Sequence, residues 1–302
     1  MTANAHLVRT GCALILILLP ALTLAAPHTF NTSLPVAQNE FVWRPQLILR
    51  ESSDNGPLNR DVSTRALDNT LGYGITPDLA LFVTLPYFFE KKLRLSTPTG
   101  RVTRKTEGLG DTSVFARYTL HRSVSAEGAF SAAPFVGITA PTGDDDDRDQ
   151  RGELPRSLQA GDGAWDGFVG VTVTYQTRNY QLDGQILQRE NGRHNGYAAG
   201  DETRLDGSLQ YRLGVDSRRK GATTPHAVYA LLEYNLVYRQ HDELNGRETD
   251  SGGLQWLVTP GLQFVSRHWT LEGSVQLPMI DDPHGDATTD DAVWRLGFRR
   301  NF

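Results

Sequence analysis

The sequence predicts an all-β protein: a single transmembrane antiparallel β-barrel of about twelve strands, with both termini periplasmic. Three observations predict it. In residues 163–175, GAWDGFVGVTVTY, the row Trp165, Gly167, Val169, Val171, Val173, Tyr175 is apolar, and the alternate row of Asp166, Phe168, Gly170, Thr172 and Thr174 is largely polar. Successive side chains of a strand point to opposite faces, so the segment has one apolar face. The bounding aromatics stand ten residues apart; at roughly 2.4–2.7 Å of rise per tilted residue that is about 25 Å, the height of an outer-membrane barrel's apolar band. About a dozen such segments recur, with connections alternately long and short, which is the third observation.

The N-terminus sets the compartment. Arg9 supplies a positive region, Ala13 to Leu24 is an apolar core, and Thr23 and Ala25 are the small residues a signal peptidase requires. The run is shorter than the ~20 residues a spanning helix needs. Residues 1–25 therefore read as a cleaved signal peptide and 26–302 as the barrel of a Gram-negative outer-membrane protein. Cys12 is the one cysteine and leaves with the leader, so neither a disulfide framework nor thiol chemistry is expected. Loss of Arg9 takes the net charge from −5 to −6, against a nucleic-acid-binding surface. No later apolar run approaches 18 residues, which excludes a helical membrane protein but not a barrel, whose lumen residues dilute every strand.

In order, Thr29 to Glu40 reads as a short polar lead, too small for a plug domain. Strand one is Phe41 to Arg50; strand two ends at Ile75 and turns at Thr76-Pro77-Asp78, residues suited to a turn. Strand three, residues 79–92, sets Leu81, Val83, Leu85, Tyr87 and Phe89 on one face. A polar loop, Ser96 to Lys105, leads to strand four (107–120) and strand five (128–141), and the longest loop spans Thr142 to Asp162. After strand six comes a tight turn at Thr177-Arg178-Asn179 and strand seven, residues 180–190. Strands eight (about Arg204–Leu213), nine (Val228–Arg239), ten (Leu254–Phe264), eleven (269–278) and twelve (292–302) follow. Prolines at 45, 86, 134, 260 and 278 fall inside these strands, where each removes a ladder donor and asks for a bulge.

The polar faces place Asp111, Arg117, Asp166, Asp183, Arg204, Asp206, Arg212, Glu233, Arg239, Glu272 and Arg295 in the lumen. Mixed signs suit cross-lumen ion pairs more than a strongly ion-selective pore. Phe82, Phe88, Phe115 and Phe168 join that face, either as an apolar track for solutes or as plain packing. Trp165, Tyr175, Trp256, Trp269 and Trp294 belong at the two membrane interfaces, where amphipathic rings favour headgroup level. On this register Val171→Arg is expected to cost about 2–4 kcal/mol and the lumen-facing Thr172→Arg little. The acidic run Asp144 to Asp149 is a candidate divalent-cation loop bridging to lipopolysaccharide phosphates; its spacing is not that of an EF-hand, and runs of like charge usually mark a solvated loop.

Four segments carry a family resemblance: Glu107-Gly108-Leu109-Gly110-Asp111 with Ala116-Arg117-Tyr118; Ala140-Pro141-Thr142-Gly143-Asp144; Ala160-Gly161-Asp162-Gly163; and Ala199-Gly200-Asp201-Glu202 with Leu209 to Leu213. In this order they resemble the outer-membrane barrel family named for the meta-pathway of phenol degradation. The resemblance implies an uptake channel for small hydrophobic, aromatic compounds, with no catalytic residues and no cofactor. Terminal Phe302, with Trp294, Leu296 and Phe298 in alternation, looks like the signal read by barrel-assembly machinery; Arg300 departs from it. The expected partners are thus the lipid bilayer, lipopolysaccharide, the assembly machinery and small hydrophobic solutes. Two alternatives stand beside this reading. One is a structural or general-porin barrel. The other is an outer-membrane phospholipase, disfavoured because Arg189 to His194 lacks the serine nucleophile that acyl hydrolysis needs.

Overall fold

The computed structural model describes residues 25–54, 58–215, 226–285 and 288–302; residues 1–24, and with them the predicted leader, lie outside these. Period-two alternation becomes a wall with an apolar outside. Twelve antiparallel strands form it: β1 (Phe41–Ser53), β2 (Asp61–Gly74), β3 (Leu79–Thr97), β4 (in two pieces, Gly100–Leu109 and Thr112–Tyr118), β5 (Ala129–Ala140), β6 (Asp166–Gln176), β7 (Tyr180–Glu190), β8 (Glu202–Val215), β9 (Ala227–Arg239), β10 (Gly253–Val265), β11 (Trp269–Pro283) and β12 (Thr289–Asn301). Each pairs with its sequence neighbours, and β12 pairs with β1, so the sheet closes and no edge remains. β6 shows the division of faces: Val169, Val171 and Val173 are exposed outward, while Phe168, Thr172 and Thr174 are buried inside.

Each of the five in-strand prolines coincides with a ladder irregularity. The β12–β1 ladder breaks between Trp43 and Gln46, around Pro45. β4 is interrupted opposite Pro86, where Gly110 N–H donates to the Pro86 carbonyl. Pro134 lies where β5 passes from pairing with β4 to pairing with the short strand His121–Val124. The β10–β11 ladder skips Pro260 and bulges at Met279, beside Pro278. A residue with no N–H is tolerated where the ladder needs none.

Two segments differ from the sequence reading. Ser96 to Lys105 is not a loop: β3 continues to Thr97 and returns from Gly100 as β4. The reason is an inner apolar face, on which Leu93 packs against Leu154 and Leu158 of the long β5–β6 connection, with Val62 and Leu95 beside them. Residues 25–38 are not a lead outside the barrel. They run through its interior, with Ala25, Ala26, His28 and Ser33 almost fully buried. Thr172, fully buried with its hydroxyl donating to the Ala133 carbonyl, therefore faces packed atoms, so an arginine there is costly.

Outward rings line the rim where β1 begins and β12 ends: Phe41 contacts Tyr73 and Phe302, and Phe264, Trp269, Phe298 and Trp43 follow in series along β10 to β1. At the opposite, long-loop rim, the β7–β8 and β9–β10 connections each make a small hairpin turned at Asn195-Gly196 and Asn245-Gly246, all with positive φ. Asn-Gly accepts that conformation at little cost. The two hairpins pair into one four-stranded sheet.

Candidate solute site in the barrel lumen

The interior is built from two things, inward polar side chains and the strap formed by residues 25–38. The strap rises from β1 beside the Gln38–Gly74 bridge and then crosses the inner wall. Arg117 on β4 donates to the carbonyls of Thr32 and Leu34. Ser33 bonds Ser131 on β5, and Thr32 bonds Thr174 on β6 and Asp183 on β7. Asn31 N–H reaches Gln185 at 3.3 Å. The N–H groups of His28 and Thr29 donate to Glu233 on β9 at 2.6 and 3.0 Å. Arg44 and Gln46 on β1 hold the His28 carbonyl, and Ala26 meets Gln263 on β10. An extended segment leaves its main-chain groups unpaired, and in a dry interior each needs a partner. The inward polar residues supply them.

The wall residues also bond one another. Gln185, Asp206, Asn235 and Gln276 form a chain across β7, β8, β9 and β11 at 2.8–2.9 Å. Glu272 accepts from Arg44 at 3.3 Å and from Gln263 at 2.9 Å, and His28 Nε2 is 3.5 Å away. These are buried ion pairs with further hydrogen bonds, the arrangement that makes a buried charge tolerable.

Against this filled half stands an open one. Between the strap and the wall of β1–β4 and β12 lies a cavity of about 600 Å³, lined by Phe82, Phe115, Leu34, Val36 and Val42 together with Arg44, Arg117 and Arg299. Phe82 and Phe115 stack at 4.7 Å with 9° between their planes, and Arg117 lies 4.7 Å over Phe82.

The structure brings some of the named residues together and separates others. Asp183, Asp206, Glu233, Glu272 and Arg117 are buried inside, at the strap or the wall network. Arg204 pairs with Asp206 at 3.2 Å, and Arg295 reaches Gln276 at 3.5 Å. Arg212 lies at the terminal rim near the Arg178 carbonyl, and Arg239 pairs with Glu202 at the loop rim. Phe82, Phe115 and Phe168 gather with Phe135 in one buried cluster. Phe88 stands apart under Lys91, so the four phenylalanines do not form one continuous track. Phe135 was missed by sequence reasoning, although its parity with Ser131, Ala133, Gly137 and Thr139 could have found it. Trp165, Trp256, Trp269, Trp294 and Phe302 are exposed on the outside, and Tyr175 is half-buried beside Tyr180.

Three of the four glycine-and-aspartate segments meet at the loop rim, and the fourth, Ala199 to Glu202, is tied there to Asn191 and Asp242. Asp111 accepts from the N–H groups of Gly143 at 2.9 Å and Asp162 at 2.8 Å. Gly161 N–H donates to the Asp144 carbonyl, and Gly143 and Gly161 are so close that a side chain on either would collide with the other's backbone. Asp166 accepts from Gly192, and Asp201 from Asn191. Burial pushes the Asp162 carboxyl up to about 6, and nearby Asp166 and Asp111 add to the rise. The acidic run diverges: Asp145 lies 3.0 Å from His194, Asp147 takes the Thr106 hydroxyl, and Asp149 is held below the usual carboxylate range chiefly by Arg104. Among the described residues, no group of three or more His, Cys, Asp or Glu side chains is gathered to hold a metal ion.

Comparisons with known proteins agree with this geometry at the level of fold. The crystal structure of the COG4313 outer membrane channel from Pseudomonas putida F1 superposes with a TM-score of 0.62 at 16% identity, over 92% of this chain and 100% of that one. The β domain of the Bordetella autotransporter BrkA and the KdgM porin align at a TM-score of 0.41 each, with 14% and 10% identity, over 88% and 87% of this chain and 100% and 99% of theirs; at that level they add nothing to the fold argument. No curated protein sequence matches the chain. Residues 55–277 match the family described as "Putative MetA-pathway of phenol degradation" and contain all four rim segments, so the chain belongs to that family of outer-membrane β-barrels.

Proposed function

We propose that the protein is a passive outer-membrane channel for small hydrophobic, aromatic compounds, exported by a leader at residues 1–25 and folded with both termini in the periplasm. The carrying observation is the cavity of about 600 Å³, whose stacked Phe82 and Phe115 offer an apolar surface inside a polar barrel. Its size and mixed lining are those of small-molecule sites. In this reading Arg117, Asp183, Asp206, Glu233 and Glu272 hold the strap and the wall rather than conduct ions. Trp165, Tyr175, Trp256, Trp269 and Trp294 anchor the barrel in lipid, and Phe302 serves its assembly.

The test is uptake by cells with and without the protein, comparing phenol with a sugar of similar size. Loss of phenol uptake alone supports the channel; loss of both points to a general pore. The second reading, a structural barrel without transport, is favoured by one observation, the strap and hydrogen-bonded side chains that fill half the interior. Unchanged uptake of both solutes would establish it.

A further inference from the structure

The chamber beside the strap is lined by one buried cation, Arg117, whose hydrogen bonds among the described residues go to main-chain carbonyls alone. Arg44, Arg117 and Arg299 line it. Glu272 takes Arg44 but is shared with Gln263 and lies close to His28. Glu40 lines the mouth and is exposed. Arg117 is 5% exposed, and among the described residues it pairs with no carboxylate. Its guanidinium donates to the main-chain carbonyls of Thr32 and Leu34 and lies over the Phe82 ring. Carbonyl dipoles and a ring face solvate a cation but leave its charge standing. In a low-dielectric pocket that charge attracts an anion far more strongly than it would in water. Guanidinium groups suit a carboxylate, whose two oxygens match the planar N–H fork.

The other half of the chamber sets the rest of the ligand. Phe82 and Phe115 stand as a near-parallel stack, and Leu34, Val36 and Val42 extend the apolar surface. A flat apolar ring fits this side, because the lining there is apolar and the ring loses little by leaving water. Acidic and planar features thus belong to one ligand.

Resting on the channel reading, we propose that the chamber is a transit site for small aromatic carboxylic acids of the benzoate type, with the carboxylate at Arg117, beside Arg44, and the ring against Phe82 and Phe115. Neutral phenols would use the apolar side alone, and short aliphatic acids the arginines alone.

The experiment measures equilibrium binding of sodium benzoate, benzyl alcohol and sodium acetate to the full mature chain in detergent, at low and high salt. Benzoate is expected to bind at least tenfold tighter than either of the others, with the preference shrinking as salt rises. Arg117→Gln and Arg44→Gln should each bring the benzoate-to-benzyl-alcohol ratio towards one, and Arg117→Lys should restore part of it. Mobility of unboiled samples on gels verifies that each variant keeps its barrel, and the wild-type comparison needs no variant. Benzoate binding no tighter than benzyl alcohol overturns the acid assignment, while phenol uptake, if intact, leaves the channel reading standing. Tight benzoate binding with no uptake of any solute keeps the site and overturns its transit role.

Discussion

Glu233 on β9 accepts a 2.6 Å hydrogen bond from the main-chain N–H of His28, 205 residues earlier in the chain. A single buried carboxylate thus holds the strap near its deep end, since Thr29 donates to it as well. Glu233→Ala leaves these donors without their acceptor and is expected to cost about 3 kcal/mol, the scale of hydrogen bonds to a buried charge. It should also raise single-channel conductance in planar bilayers. Wild-type conductance in a folded Glu233→Ala barrel would show that the strap does not narrow the path.

Outer and inner faces of β6 can be compared directly. Val171 faces lipid, and Val171→Arg is expected to cost about 2–4 kcal/mol in unfolding from vesicles. Thr172 is fully buried against the wall and the Ala133 carbonyl, so Thr172→Arg should cost at least as much. A tolerated arginine at 172 would mean that this part of the lumen is open.

Two glycines make a sharper contrast. A Cβ at Gly137 would lie 2.4 Å from Phe168 Cζ and 2.5 Å from Phe115 Cβ, whereas at Gly167 nothing lies within 4 Å. Gly137→Ala should destabilise the barrel by about 1–3 kcal/mol through overpacking. Gly167→Ala should leave its denaturant midpoint unchanged. Equal midpoints would show that the phenylalanine cluster is loosely packed.

Acidity should tighten the loop rim. The Asp162 carboxyl is pushed up to about 6 from 3.8 by burial, so the folded state binds its proton more strongly than the unfolded chain. That contribution is fully present below the unfolded value and is lost as the pH rises through about 6. Amides of residues 142–165, corrected for intrinsic exchange rates, should be better protected at pH 5 than at pH 7. Asp162→Asn should remove the difference. Slower exchange at pH 7 would reverse the sign and sink the argument.

Asp111→Ala removes the acceptor of two loop N–H groups and should cost about 1–3 kcal/mol. The same exchange measurement should show the β5–β6 connection opening while the strand amides remain protected.

Period and parity made the wall legible. Alternation in β7, β8, β9 and β11 fixed both the strands and the facing of Asp183, Asp206, Glu233 and Glu272, because a strand's side-chain period leaves only two registers. The prolines signalled ladder breaks because each lacks an N–H donor. The strap was not legible: His28 to Ser33 has no periodicity, and its contacts depend on partners far along the chain. Ser96 to Lys105 was misread because its own residues are largely polar, while the apolar contact that supports the hairpin, Leu93 on Leu154 and Leu158, lies just before it. The chamber is invisible in sequence, since Leu34, Val42, Phe82 and Arg299 meet only once the barrel closes.

The strap's partners on β5 to β11 lie from 98 to 246 residues away, from Ser131 to Ser274. The entropy of closing such loops must be met before any of these bonds forms, and contacts this distant form late. Beyond its bonds to β1 and β4, the strap has no docking surface until β5 through β11 stand side by side. The fold thus predicts that the strap docks fully only after the cylinder has closed around it.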